Sequence, residues 1–167
     1  MNRSNLWRLL AAFLVLVPGA ATALTSDRDQ PISIEANTVD IDDRNDISTY
    51  SGDVQVKQGT MRLFADTVVL YGLREPSRIT AEGSPVRFWQ RPDDQNEDVR
   101  GEAMRLEYII ADDKLFLYEK AMIWQGENSF GSDRIEYDVN RELVRAGDRE
   151  DRGKRVTVVI QPRKSDE

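Results

Sequence analysis

Ser51-Gly52-Asp53-Val54-Gln55-Val56-Lys57-Gln58-Gly59 decides the fold class of this 167-residue chain. A turn signal opens the stretch, aliphatic and polar residues then alternate one for one, and Gln58-Gly59 closes it. Alternation places Val54 and Val56 on one side of an extended backbone and Gln55 and Lys57 on the other, as a strand with one buried face requires. The same pattern recurs in Ile32-Ser33-Ile34, Val39-Asp40-Ile41, Val68-Val69-Leu70, Val86-Arg87-Phe88, Leu106-Glu107-Tyr108 and Ile135-Glu136-Tyr137. Turn-rich segments at 42–46, 72–77, 82–85, 93–98, 125–128, 140–141 and 147–153 lie between them. A spacing of about eight to twelve residues predicts an all-β meander, barrel or roll. One stretch competes as a helix, residues 101–117, rich in Glu, Met, Leu and Ala. Tyr108-Ile109-Ile110 and Leu115-Phe116-Leu117 are strand-like runs, so two strands are expected there, with Asp112-Asp113 as the turn.

A repeat underlies this ladder. Shifted by 67 positions, Glu35-Ala36-Asn37-Thr38-Val39 falls on Glu102-Ala103-Met104-Arg105-Leu106, Gln58-Gly59 on Gln125-Gly126, and Ala65-Asp66-Thr67-Val68 on Ser132-Asp133-Arg134-Ile135. Ala36 and Ala65 stand 29 apart, as do Ala103 and Ser132. The expected architecture is four stacked copies of one unit, each too small to bury its apolar face alone.

Composition removes whole classes of chemistry. The chain has no His and no Cys, so imidazole bases, thiolate nucleophiles, Cys/His zinc sites and Fe–S clusters are excluded. With 23 Lys+Arg against 30 Asp+Glu and a net charge of −7, it also lacks a long basic run, and nucleic acid is not expected as a partner because clustered cations supply most of that affinity. The acidic pairs Asp42/Asp43, Asp93/Asp94 and Asp112/Asp113 lie in expected turns, where Asp bonds the local backbone. Residues 42–46 lack the glycine and glutamate of a calcium loop, and no glycine-rich phosphate loop is present. Neither a catalytic residue, a metal site nor a cofactor is therefore assigned, and an enzyme is not expected.

Residues 1–23 read as a secretory signal peptide: Arg3 and Arg8, the apolar run 9–17, the break at Pro18-Gly19 and the small residues 20–23. The run is well under the roughly 20 residues needed to span a bilayer, so cleavage after Ala23 is expected, leaving residues 24–167 as one exported β domain. Removing Arg3 and Arg8 takes the net charge to −9.

An open stack of strands exposes unpaired backbone at its first and last strands, which invites pairing with another chain. The final run, Arg155-Val156-Thr157-Val158-Val159-Ile160-Gln161, is β-branched and flanked by Arg152, Lys154, Arg163 and Lys164. Arg155, Val156, Val158 and Ile160 are the expected oligomer edge. Asp27, Asp29, Glu35, Asp40, Asp42 and Asp43 surround the opposite edge, and opposite charge at opposite ends favours head-to-tail association. The plain alternative is two solvated termini. Ile32, Ile34, Ile41, Phe88, Tyr108 and Ile110, with Phe130 and Tyr137, lie on the inward side of their strands and are either core or the lining of an apolar trough.

Gln30-Pro31-Ile32-Ser33-Ile34-Glu35-Ala36, Tyr50-Ser51-Gly52-Asp53-Val54-Gln55-Val56-Lys57-Gln58-Gly59, Ala65-Asp66-Thr67-Val68, Gly83-Ser84-Pro85-Val86-Arg87-Phe88 and Gly153-Lys154-Arg155-Val156-Thr157 occur in that order. In these blocks the chain resembles the LptA/OstA-like family of periplasmic lipopolysaccharide-transport proteins, over nearly the whole of residues 24–167. Ser51-Gly52 stands where the family block begins Thr-Gly. The resemblance implies a single elongated twisted β-jellyroll of about sixteen antiparallel strands, open along one side. It implies a periplasmic bridge stacked head to tail, holding the acyl chains of lipid A against Ile32, Ile34, Ile41, Phe88, Tyr108 and Ile110. Inner-membrane and outer-membrane transport components would dock at the two ends, and Arg74, Arg78, Arg87 or Arg91 would meet phosphates. A structural β-filament or assembly module without lipid cargo remains the alternative.

Overall fold

Extended backbone runs through most of the computed structural model, which describes residues 27–91, 97–147 and 155–162. The signal-peptide reading of residues 1–23 lies outside the described residues, as do Asp93, Asp94, Arg152, Lys154, Arg163 and Lys164. The strands are β1 (Ser33–Glu35), β2 (Thr38–Asp42), β3 (Ile47–Gln58), β4 (Met61–Tyr71), β5 (Arg78–Gln90), β6 (Val99–Ile109), β7 (Lys114–Gln125), β8 (Asn128–Asp138), β9 (Leu143–Ala146) and β10 (Thr157–Val159). Single 3₁₀ turns at Asp27–Asp29 and Ile110–Asp112 are the helical elements among the described residues. The competing helix at 101–117 is absent: β6, the turn at Ile110–Asp112 and β7 occupy it.

All strands join one antiparallel sheet in the order β1-β3-β4-β5-β6-β7-β8-β10, with β2 also on β3 and β9 also on β8. Among the described residues the sheet has ten strands, not sixteen. The difference lies in β3 to β8, each of 11 to 13 residues. The register slips once in every pairing among these six, between Ser51 and Val54, Phe64 and Thr67, Glu82 and Val86, Glu102 and Arg105, and Tyr118 and Ala121. Extra residues on one strand bend it and add twist, and the five slips line up as a crease. Gly52 and Asp53 in β3, and Glu119 and Lys120 in β7, take up the bend with positive φ. Segments such as Ser51-Gly52-Asp53 and 82–85, expected as turns between short strands, are bends within long ones.

The crease divides the sheet into two leaves. One carries β2 at one edge and β9 at the other; the second carries β1 and β10. Their inner faces meet, since the rings of Phe88 and Tyr137, from opposite leaves, lie 6.4 Å apart. Among the described residues no pairing joins β1 or β2 to β9 or β10, so the sheet stays open at both edges. The final strand is shorter than the run 155–161 suggests: three residues of it pair with β8.

Positions 67 apart occupy like places in this sheet. β3 and β7 begin and end 67 residues apart, and so do β4 and β8. Gly59 and Gly126 turn the two hairpins with φ of 56° and 57°.

Candidate functional site

The register turns the alternation of single strands into rows that cross the whole sheet. In the β2–β9 leaf one inward row reads Ile41, Ser48, Leu70, Ile79, Tyr108, Leu115, Tyr137, Val144. In the β1–β10 leaf the facing row reads Ile34, Val56, Leu63, Phe88, Gly101, Ile123, Phe130, Val158. The middle of both rows is buried, with Ile79, Phe88 and Ile123 at 4% exposure or less. Their ends are not: Ile41 is 61% and Val158 48% exposed. The result is an apolar seam sealed in its middle and open at both ends.

Among the residues expected to line a trough, Ile34 and Phe88 share one row, and Ile41 and Tyr108 the other. Ile32, just before β1, and Ile110, in the turn after β6, are half-buried and pack against the same core. Phe88 sits deep in the middle, whereas Ile41 occupies the open end of its row. Arg155, Val156, Val158 and Ile160 are all exposed along β10 and its flanks. Tyr50 and Met61, near the first edge, and Val144 and Ala146, near the last, join the half-buried set without having been expected there. For Tyr50, opposite Val39 and Val68, and for Val144 and Ala146, opposite Tyr137 and Ile135, the signal is the cross-strand partner, which needs the strand pairing and not the local sequence.

Buried polar groups fix the rim. Asp113, 4% exposed, accepts hydrogen bonds from the Tyr108 hydroxyl at 2.7 Å and from Asn140 Nδ2 at 3.0 Å, while its carbonyl accepts the Val139 N–H at 2.9 Å. This holds the turn at Ile110–Asp112 against the end of β8 and sets where Tyr108 and Ile110 stand. On the other leaf, Asp27 accepts the Thr60 N–H and hydroxyl and the Gln90 amide. Asp27 is thus a cap on the β3–β4 turn and not a free charge of the acidic edge. Glu35, Asp40, Asp42 and Asp43 are exposed there.

Asp42 and Asp98 are held by nearby donors. Asp42 accepts the Asn45 side chain and the Arg44 and Asn45 N–H groups, and the Asn45 side chain leads in holding its carboxyl below the usual range. A hydrogen bond from Arg91 does the same for Asp98. Burial pushes the Tyr137 phenol up to about 12, with smaller contributions from Glu142 and Asp138. Of the four arginines expected near phosphates, Arg78 pairs with Glu107 and stacks on Tyr71, Arg91 pairs with Asp98, and Arg74 is exposed beside a turn. Arg87 lies on the outer face of β5, opposite Glu102.

Comparison with known proteins agrees with this geometry. Residues 33–143 match the family described as LptA/(LptD N-terminal domain) LPS transport protein. The lipopolysaccharide export system protein LptA of Escherichia coli strain K12 is 34% identical over 164 residues, covering 96% of this chain and 87% of that protein. The export system protein LptH of Pseudomonas aeruginosa is 32% identical over 153 residues, 86% of each. The crystal structure of that LptH, the LptA-homologous periplasmic component of the lipopolysaccharide transport device, has a TM-score of 0.77 and 30% identity, over 83% of this chain and 100% of that one. The chain belongs to the LptA/(LptD N-terminal domain) family of lipopolysaccharide transport proteins.

Proposed function

We propose that this protein carries lipopolysaccharide through the periplasm, sheltering acyl chains between its two leaves and passing them along a head-to-tail stack of copies. The observation that carries the reading is the pair of inward rows, apolar nearly from edge to edge and uncovered at both ends. A methylene moved from water to an apolar surface gains about 0.8 kcal/mol, so a chain of about a dozen carbons gains roughly 9 kcal/mol. Parting the leaves exposes side chains such as Phe88 and Leu117, and an acyl chain laid between them covers the same surface again. Carriage of this kind needs no nucleophile.

The edges support stacking. Among the described residues β1 and β10 each have one neighbour, leaving backbone N–H and C=O groups on the far side to extend the sheet. Joining β9 and β10 of one copy to β2 and β1 of the next would continue both rows across the junction and bring Arg155 toward Glu35 and Asp40. The transport components of the inner and outer membranes would take the two terminal edges. The exported form begins after the signal peptide of residues 1–23, and the 67-residue offset fits an origin in stacked repeats of one unit.

Photo-crosslinking side chains placed in cells test this. At Ile32, Ile34, Ile41, Tyr108 and Ile110 they should capture lipopolysaccharide, and at Ser33 and Asp40, which point outward, they should not. Equal labelling of the two sets would overturn the reading. Capture of protein alone at Ile41 and Val158, with no lipid at any position, would favour a structural filament, which the exposed edge strands alone also fit.

A further inference from the structure

The outer face of the β1–β10 leaf departs from the rule that the solvated face of an antiparallel sheet is polar. Trp89 on β5 stands opposite Arg100 on β6, and Arg100 opposite Trp124 on β7, so one outward cross-strand row sets two indoles on either side of a guanidinium. In the neighbouring row Phe64, 40% exposed, stands opposite Arg87, and Arg87 opposite Glu102. These six side chains line a groove of about 510 Å³, within the usual range for a small-ligand site. Arg87 and Arg100 are exposed, and neither takes part in a salt bridge among the described residues. Trp89 is held in place: the Arg91 guanidinium lies 5.5 Å from its ring centroid, and Arg91 is itself tied to Asp98 at 2.8 Å.

We infer that this groove binds an acidic saccharide. Two strand spacings separate Trp89 from Trp124, about 10 Å, the span of a disaccharide unit. Pyranose rings present apolar C–H faces that stack on indoles, and a carboxylate or phosphate between them meets Arg100 with Arg87 beside it. Glu102 accepts hydrogen bonds from hydroxyls and repels a dense polyanion, which separates this surface from a single-strand nucleic acid platform of the same residue types. The net charge of −7 acts in the same direction. The site does not depend on the carriage reading, because its side chains point away from the seam between the leaves.

The chain has three tryptophans, and Trp7 lies in the segment read as the signal peptide, so in the exported form, with Trp89 and Trp124, the indole fluorescence reports the groove. That protein is titrated with deacylated lipopolysaccharide oligosaccharide, with soluble peptidoglycan fragments, with neutral maltooligosaccharide and with a single-stranded oligonucleotide. Saturable quenching by either acidic saccharide is expected, and the comparison of the two identifies the source. Trp124→Ala should weaken binding about tenfold, the loss of one stacked ring. Arg100→Gln, at an exposed position, should bring the acidic saccharide down to the affinity of the neutral one with the melting temperature unchanged. Ile41→Ser, on the opposite face, should leave binding intact. No quenching by either acidic saccharide, equal binding of the neutral one, a stronger response to the oligonucleotide, or an Arg100→Gln protein that binds as before would each overturn the inference.

Discussion

The middle of the seam and its ends are built from the same rows and the same kinds of residue. Phe88 and Val158 share a row, as do Ile79 and Ile41, yet Phe88 is 4% and Ile79 1% exposed against 48% for Val158 and 61% for Ile41. What differs is cover. A middle position has a strand on each side and the opposite leaf above it, whereas an end position has a strand on one side. Buried apolar surface is worth about 25 cal/mol per Å², so the middle realises that gain within the chain. The ends realise it when something else arrives. One sequence pattern therefore holds the fold together at its centre and leaves it adhesive at both edges.

The comparison breaks most sharply if the middle proves dispensable. Phe88→Ala removes a buried ring that touches Tyr137 across the interior and should cost about 3–5 kcal/mol in urea unfolding. A loss near that of a surface substitution would mean the leaves do not depend on their contact. Gly101→Ala probes the same spot from the opposite direction. A Cβ there would lie 2.7 Å from Phe88 Cδ1 and 3.4 Å from Leu117 Cδ1, so overpacking should cost about 1–3 kcal/mol. Adding Phe88→Leu to it should recover part of the loss, a coupling that independent sites would not show.

A third and smaller effect uses pH. Tyr137 is protonated in both states below pH 10. The unfolded chain ionises near 10, whereas the folded phenol ionises near 12, chiefly because it is buried. The unfolded state therefore releases its proton first, and stability should fall as pH rises from 10 to 12, by at most about 1.4 kcal/mol per pH unit for one proton. Tyr137→Phe should flatten this part of the profile by that amount. An unchanged profile would show that the phenol is not sealed in the middle.

The halves of the long strands were legible in the sequence. Val54 and Val56, Val86 and Phe88, and Ile135 and Tyr137 alternate as they are buried. The crease was not. In β5 the inward residues are Ile79 and Ala81, then Val86 and Phe88, a change from odd to even positions that periodicity reads as the end of one strand and the start of another. Gly83-Ser84-Pro85 looks like a turn for the same reason. Burial at the edges was equally hidden, because the apolar face of Ile41 is set by how many strands lie beside β2. Asp113 reads as an ordinary turn acid, and its burial comes from Asn140, 27 residues away. Trp89 and Trp124 meet in one groove through pairings to β6 that no local pattern records.

The smallest effect on stability is the one that separates the two regions. Ile41→Ser at one end of a row, and Val158→Ser at the end of the facing row, replace exposed aliphatics and should shift unfolding by no more than about 0.5 kcal/mol. Each nevertheless removes apolar surface that a neighbouring copy or an acyl chain would cover. Light scattering at rising protein concentration should show weaker association for both variants. Lipopolysaccharide capture should fall for Ile41→Ser, while β-sheet circular dichroism stays unchanged. If Ile41→Ser destabilised the chain as Phe88→Ala does, the ends would be core like the middle. If it altered neither association nor capture, their exposure would be that of solvated termini. A protein whose stability ignores the change while its associations respond would place the two roles in different parts of the same row.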